Sequence, residues 1–304
     1  MNVNKISIVT LTYKNSHLLY KSISSVANQI FNESYQVEYL IVDDCSDDFD
    51  KDFVVNILRK TNLNYRIIVN AYNMGTVASF NNAIKLSTGE IIIPLSADDE
   101  FYDNNVVNDI VQEFSFKKCQ VLTGYRVLKS EDGEIERFPK EKVVNIFNDR
   151  NLLLKYIKLR GNIISGASTY YARSIFEEFG FFDERYRLLE DYPFYLKVLS
   201  NGGNISLFKR NVIIYGDDGV SSSKKINPLL KNDYDILYNS LLLDNDFSFF
   251  ERRYFSFFRL FDTKQKYLMC VFYPEQFMRF FISKTIMILF KSFRGMVNKV
   301  KRYE

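Results

Sequence analysis

Along the first hundred residues, short apolar runs alternate with stretches whose apolar positions recur every three or four residues. Ile6 to Leu11 has the length and content of a buried strand. After Asn15 and Ser16, both suited to cap a helix, Leu19, Ile23, Val26 and Ile30 are spaced by four, three and four, which predicts a helix. Tyr39 to Val42 reads as a second strand, ending in Asp43-Asp44. A helix is expected over Asp52 to Lys60, a strand over Tyr65 to Val69, a helix over Thr76 to Leu86 and a strand over Glu90 to Leu95. The last of these runs into Ser96-Ala97-Asp98-Asp99. Strands alternating with helices predict an α/β fold: a mostly parallel, Rossmann-like sheet with helices on both faces.

From Cys119 to Tyr215 the pattern is mixed. Val121 to Leu128, Gly166 to Tyr171 and Asn211 to Tyr215 read as strands, Asn151 to Leu159 and Ser174 to Phe179 as helices. Glu190-Asp191 precedes Tyr192-Pro193-Phe194-Tyr195-Leu196, where Pro193 suits the first turn of a helix. Gly216 to Gly219 and Ser221 to Ser223 form a turn-rich stretch. It marks a boundary between a domain over residues 1–222 and an extension over 223–304. The extension carries Phe247, Phe249, Phe250, Tyr254, Phe255, Phe257, Phe258 and Phe261. Farther on, Phe277, Phe280, Phe281, Ile286, Met287, Leu289, Phe290 and Phe293 are interrupted by Arg279, Lys284, Lys291 and Arg294. Amphipathic helices with an aromatic and a basic face are expected there.

Charge sharpens that division. Over the 304 residues the formal net charge is +3, but Glu251 to Glu304 holds 12 Lys/Arg against 4 Asp/Glu, and the residues before it 28 against 33. An acidic body with a basic, aromatic tail points to an anionic surface as partner, and the segment from Phe277 to Lys301 is expected to lie on a membrane surface. No run reaches the roughly 18 apolar residues of a membrane span, and the N-terminus has no signal-peptide pattern. Three cysteines without metal-ligand spacing fit a reducing compartment. The expected location is therefore cytoplasmic, peripheral on the inner face of the membrane. The basic excess lies on no nucleic-acid-binding module, so nucleic acid is not expected as a partner.

The single histidine, His17, excludes a His-rich zinc site and leaves carboxylates as the main chemical groups. Ligands of α/β sheets bind at the carboxyl ends of strands, where Asp43-Asp44 and Asp98-Asp99 stand. Asp98 and Asp99 can supply the one or two carboxylates by which Mg²⁺ or Mn²⁺ is held together with substrate phosphates. Glu190-Asp191 is the best candidate for a general base, and N–H groups at a helix start would favour its ionised form.

The segment Ile6-Ser7-Ile8-Val9-Thr10-Leu11-Thr12-Tyr13 resembles the opening strand of family 2 of the glycosyltransferases, which has the GT-A fold. Tyr39 to Asp48 is similar to its second strand and acidic end. Asn73-Met74-Gly75, Ala78, Asn81, Ala83-Ile84 and Thr88-Gly89-Glu90 resemble the segment before its metal motif. Ser96-Ala97-Asp98-Asp99 stands at that DXD-type motif, and Gly180-Phe181-Phe182-Asp183-Glu184, followed by Glu190-Asp191-Tyr192, resembles the acceptor-side segment. The match covers roughly residues 5 to 222, in the family's order.

The resemblance implies an inverting, metal-dependent transfer of a sugar from a nucleotide-sugar, such as a UDP-sugar, to a hydroxyl of a glycan or lipid-linked acceptor in bacterial surface-polysaccharide assembly. It implies that Thr12 and Tyr13 line the nucleobase pocket, and that Asp44 contacts the base with Asp43 beside it. Asn73, Gly75, Ser96 and Asp98 would belong to the donor site, Asp98 and Asp99 would hold Mn²⁺ or Mg²⁺, and Asp191 would be the general base, supported by Glu190. Four positions depart from the family pattern: Ser96 replaces an aspartate, Phe80 an arginine, and Pro193 and Lys197 an acid and an arginine. A nucleotidyltransferase is the alternative enzyme, but Thr12-Tyr13-Lys14-Asn15 lacks the glycine-rich phosphate loop it needs. A non-catalytic nucleotide-sugar-binding protein of the same fold is the other alternative. Dinucleotide oxidoreduction is disfavoured, because no G-x-G-x-x-G follows the first strand.

Overall fold

The apolar run at the N-terminus forms β1 (Lys5–Thr12), whose Ile6, Ile8 and Val9 are buried. Burying each such side chain stabilises the fold by about 1.5–3 kcal/mol. The structure is a computed structural model that describes residues 3–129, 135–216, 227–243 and 246–286. After β1 come α1 (Leu19–Ala27), β2 (Gln36–Asp43), α2 (Lys51–Leu58), β3 (Tyr65–Val69), α3 (Thr76–Leu86) and β4 (Ile91–Pro94). The expected strands and helices of this half are present. Asp50 caps α2 by accepting a hydrogen bond from Phe53 N at 2.8 Å, a bond worth about 1 kcal/mol.

Next follow β5 (Glu100–Phe101), α4 (Val106–Lys117), β6 (Val121–Lys129) and β7 (Ile135–Phe138). Beyond a 3₁₀ segment come α5 (Arg150–Arg160), β8 (Thr169–Ala172), α6 (Ser174–Phe179), α7 (Asp191–Ser200) and β9 (Ile205–Ile214). Helix α4 is not among the elements expected above, although Val106, Val107, Ile110, Val111 and Phe114 follow helical spacing and are buried. Gly166 to Ser168 forms a 3₁₀ turn, so the strand expected from Gly166 begins only at Thr169. Strand β9 starts at Ile205, six residues before the strand expected from Asn211.

These strands form one sheet in the order β3-β2-β1-β4-β8-β6-β9-β5, with β7 on β6. Strands β3, β2, β1 and β4 are parallel, as expected. From β4 onward the sheet is mixed: β8 runs antiparallel to β4 and β6, and β6 runs parallel to β9. The main core joins Ile6, Ile8, Tyr39, Ile41, Ile91 and Ile93 of the sheet to Leu19, Ile23 and Val26 of α1 and Ile110 and Phe114 of α4.

Two compact units divide the chain, one reaching Tyr234 and one beginning at Asp235, so the division falls within α8 (Pro228–Leu242). The boundary expected at 222/223 lies outside the described residues. The second unit contains α9 (Phe249–Phe255), a π-helical turn over Ser256–Leu260, α10 (Thr263–Leu268) and a helix over 274–286. Inside it Phe255 packs on Tyr238 and Phe247, and Phe257 on Tyr273 and Phe280. Phe249, Phe250, Leu268, Val271, Phe272, Met278, Phe281, Ile282 and Ile286 are exposed. Met287, Leu289, Phe290, Lys291, Phe293 and Arg294 lie outside the described residues. Among those described, no helix is long and apolar enough to cross a membrane.

Candidate active site

The carboxyl ends of β1 and β2 are tied together by short polar contacts. Thr12 is buried and donates through Oγ1 to Asn15 Oδ1 at 2.6 Å, while Tyr13 N donates to the same oxygen at 3.0 Å. The Tyr13 ring is half exposed, with the Lys14 ammonium 5.4 Å from its centroid. Buried Asp43 accepts from Ser46 N at 2.8 Å and Ser46 Oγ at 2.6 Å. That turn carries Cys45 at a φ of 61°.

Asp44 faces into the protein. Its Oδ1 accepts from Asn70 Nδ2 at 3.0 Å, Met74 N at 2.8 Å and Ser79 Oγ at 2.7 Å, and its Oδ2 from Gly75 N at 2.8 Å. These bonds pin the turn before α3 to the end of β2. Gly75 has a φ of 84°, and a Cβ there would lie 2.6 Å from Arg187 Cγ and 2.7 Å from Arg187 O. Only glycine meets both demands. Asn73 accepts from Arg187 Nη2 through its backbone oxygen at 3.0 Å and through Oδ1, and its Nδ2 reaches Asp44 O at 3.4 Å.

The loop after β4 carries Asp98 and Asp99, both buried. Asp99 Oδ1 accepts from Gly216 N at 2.8 Å, at the end of β9. Its Oδ2 is buried without a hydrogen-bond partner among the described residues. Burial pushes the Asp99 carboxyl up to about 7; the neighbouring Asp98 charge adds to this, while Gly216 N, the Ser96 hydroxyl and Arg126 oppose it. A Cβ on Gly216 would lie 2.5 Å from Asp98 O and 2.7 Å from Asp98 Oδ2, so the loop is pressed against the glycine. The Arg126 guanidinium is stacked between Tyr215 and Phe138, 4.1 Å and 5.0 Å from their ring centroids.

Among the described residues no cluster of three or more His, Cys, Asp or Glu is arranged to hold a metal. The pair Asp98 and Asp99 fits a cation of another kind. Mg²⁺ and Mn²⁺ commonly take one or two carboxylates and complete their shell with phosphate and water. An unpartnered buried carboxylate oxygen such as Asp99 Oδ2 is costly unless a cation or proton reaches it.

Asp191 opens α7, and Glu190 stands at the capping position without making a side-chain cap bond. Asp191 Oδ1 accepts from Tyr192 N at 2.6 Å and Oδ2 from Asn162 Nδ2 at 3.1 Å. Gly166 lies against the carboxylate: a Cβ there would come within 3.1 Å of Asp191 Oδ2. Both acids keep a partial opening to the surface, yet the protein packed around them desolvates them. That desolvation raises both carboxyls above their ordinary range, and repulsion from Asp191 and Asp233 raises Glu190 further. The N–H groups at the helix start do favour the ionised form of Asp191, as expected, but burial outweighs them.

Strand β8 connects these stations. It runs antiparallel to β4, so the turn before it lies beside the carboxyl end of β4, and that turn contains Gly166, which touches Asp191. Successive strand residues face opposite sides of a sheet. Accordingly the charge of Asp99 acts on Tyr170, and the charges of Asp191 and Glu190 act on Tyr171. The structure thus sets both acidic pairs acting on adjacent residues of β8, Asp99 on Tyr170 and Glu190 with Asp191 on Tyr171, and leaves Asp44 engaged inward. Several residues of this frame carry no signal in the sequence: Asn70, Ser79, Asn162, Arg187 and, above all, Asp233. Buried Asp233, on α8, accepts from the backbone N–H groups of Arg187, Leu188 and Leu189. An aspartate inside a helix gives no pattern that separates it from a solvated one.

Comparison with known proteins agrees with this architecture. The family model Glycosyl transferase family 2 matches residues 7–180. An uncharacterized glycosyltransferase of Rickettsia felis is 27% identical over 196 residues, covering 64% of this chain and 31% of that protein. The chain thus spans about a third of that relative's length. An uncharacterized glycosyltransferase of Rickettsia typhi is 23% identical over 247 residues, covering 78% of this chain and 71% of that protein. Among solved structures, S. aureus TarS 1–349 in complex with UDP-GlcNAc superimposes with a TM-score of 0.59 at 19% identity, covering 82% of this chain and 69% of that one. The complex of TarS 1–349 with UDP gives 0.58 at 18% identity, covering 82% and 68%. The fold is the GT-A fold of these structures.

Proposed function

Because this chain belongs to glycosyl transferase family 2, we propose that it moves a sugar, with inversion, from a UDP-sugar to a hydroxyl of a glycan or lipid-linked acceptor of the cell surface. One observation carries this function. Asp191 is a desolvated carboxylate fixed by Tyr192 N and Asn162 against the turn before β8, the strand on which Asp99 also acts, and Asp99 holds a buried oxygen without a partner among the described residues. A positioned base and a phosphate-side acid are the two groups that direct displacement at an anomeric carbon requires.

In the reaction Asp191 accepts the proton of the acceptor hydroxyl as that oxygen forms the new bond to the anomeric carbon. The bond from that carbon to the diphosphate oxygen breaks on the opposite face, and the nucleoside diphosphate leaves with the electron pair. Because burial raises Asp191, it is a stronger base than an ordinary aspartate. Glu190 stands beside it as the supporting carboxyl group. Thr12 and Tyr13 border the nucleobase, and Asp43 and Asp44 serve it by fixing the turns at Ser46 and at Asn73 to Gly75. Asp98 and Asp99 would hold Mn²⁺ or Mg²⁺, which neutralises the charge developing on the leaving diphosphate.

The second unit extends this function to a membrane surface. On the helix over 274–286, Met278, Phe281, Ile282 and Ile286 share one exposed face at helical spacing, with Arg279 exposed beside Met278. Exposed apolar residues interleaved with cations suit the headgroup level of anionic lipid, which would place the enzyme next to a lipid-linked acceptor.

The test is a panel of nucleotide-sugars scored by thermal shift with and without Mn²⁺, on the wild type and on Asp98→Ala and Asp99→Ala. A UDP-sugar should raise the melting temperature in the presence of metal, and both variants should lose the metal-dependent part. A panel in which no nucleotide-sugar shifts melting refutes the function, and variants that bind as the wild type does, with and without chelator, refute the metal site.

A further inference from the structure

The segment that delivers the base is held by a carboxylate outside the reacting centre. Asp233 Oδ2 accepts from Arg187 N at 3.0 Å, Leu188 N at 2.7 Å and Leu189 N at 3.1 Å, and its Oδ1 also accepts from Arg187 N at 3.1 Å. The residue is buried, so each of these bonds is shielded from water and hard to replace. Three consecutive N–H groups on one carboxylate fix the course of the chain immediately before Glu190 and Asp191. Arg187 then continues the contact to the other side of the site. Its guanidinium grips Asn73, its carbonyl accepts from Val77 N at 3.2 Å, and Gly75 packs on its stem.

We propose, resting on the assignment of Asp191 as the base, that Asp233 is a positioning residue. It sets the geometry of residues 187–191 and, through Arg187, couples the base to the turn at Asn73 to Gly75. A second effect is electrostatic. The groups acting on Glu190 are the acids Asp191 and Asp233; Tyr171 on β8 feels Asp191 and Glu190, and Tyr195 on α7 feels Asp191. Asp191 in turn faces Asn162, Gly166 and Tyr192, which are neutral donors. Asp233 thus raises the proton affinity of Glu190, the neighbour of the base, as well as fixing the place of the pair.

Two variants of the full chain separate the effects. Asp233→Asn keeps an oxygen for the three N–H groups but removes the charge, so the acid limb of the kcat–pH profile should move to lower pH, with the plateau within about threefold of wild type. Asp233→Ala removes the bonds as well and should lower kcat by about tenfold or more, since small misplacements at a reacting centre are expensive. Should the alanine variant fail to fold, the asparagine profile still decides. A profile for Asp233→Asn that superimposes on the wild type, or a folded Asp233→Ala enzyme with kcat within twofold of it, overturns the proposal. Asp191→Asn serves as the control. If it is inactive while Asp233→Asn shows no shift, only the role of Asp233 falls. If it is active, the assignment of the base falls and this proposal falls with it.

Discussion

Replacing Asp191 by asparagine removes the proton acceptor while leaving almost every atom in place. Asparagine can keep the bond from Tyr192 N through its oxygen, but its amide then meets Asn162 Nδ2, a donor, where wild type has an acceptor at 3.1 Å. Asn162 is not free to turn over, because its Oδ1 accepts from Ile164 N at 2.9 Å. One hydrogen bond is therefore lost, a cost of about 1 kcal/mol. Against it stands the removal of a desolvated charge beside Glu190, so net stability at neutral pH should change by no more than about 1 kcal/mol. The rate effect is much larger: positioned proton transfer contributes about 10²- to 10⁴-fold, or roughly 3 to 5 kcal/mol in the barrier.

Both acids of the pair are raised, so their contribution to stability is present in full below the ordinary carboxylate range, near pH 4. It is lost as the pH rises through their folded-state values. The melting temperature of wild type should therefore fall over this window more steeply than that of Asp191→Asn. The assay is nucleotide release from the donor selected by thermal shift, measured per folded molecule, with melting followed from pH 4 to pH 8. A folded variant with kcat within tenfold of wild type would falsify the assignment of the base, as would a larger loss for Glu190→Gln with donor affinity intact.

Gly166→Ala places a methyl group 3.1–3.3 Å from the Asp191 carboxylate. The carboxylate must then yield by a few tenths of an ångström, and kcat should fall severalfold with donor affinity unchanged; equal kcat values in steady-state assays would show that Gly166 does not set the position of the base. Removal of residues 277–304 should weaken co-sedimentation with anionic liposomes, and added salt should weaken that of the full chain, because exposed charge is screened within about 10 Å at 0.1 M. A truncated protein that still pellets with the liposomes rules out this tail as the membrane contact.

The first half of the chain was legible because its information is local. Tyr65–Val69 and Thr76–Leu86 have the bounds that periodicity predicts, and acids after the second and fourth strands mark a sheet edge wherever parallel strands end. The order of motifs from Ile6 to Asp191 was enough to identify the family and the GT-A fold. What each acid does with its oxygens was not legible, since adjacent aspartates look alike in a sequence. Tertiary packing turns Asp44 inward onto Asn70, Met74, Gly75 and Ser79, and leaves Asp99 Oδ2 without a partner among the described residues. The bulk around the strand ends reverses the expectation from helix-start N–H groups and raises Asp191, because desolvation depends on every element packed nearby and not on sequence neighbours. Asp233 lies 42 positions after Asp191, on a helix with no motif, and only the fold brings its carboxylate to the backbone of residues 187–189. Local pattern determined the elements and the candidate acids; the long-range contacts that orient and desolvate those acids existed only once the chain had folded.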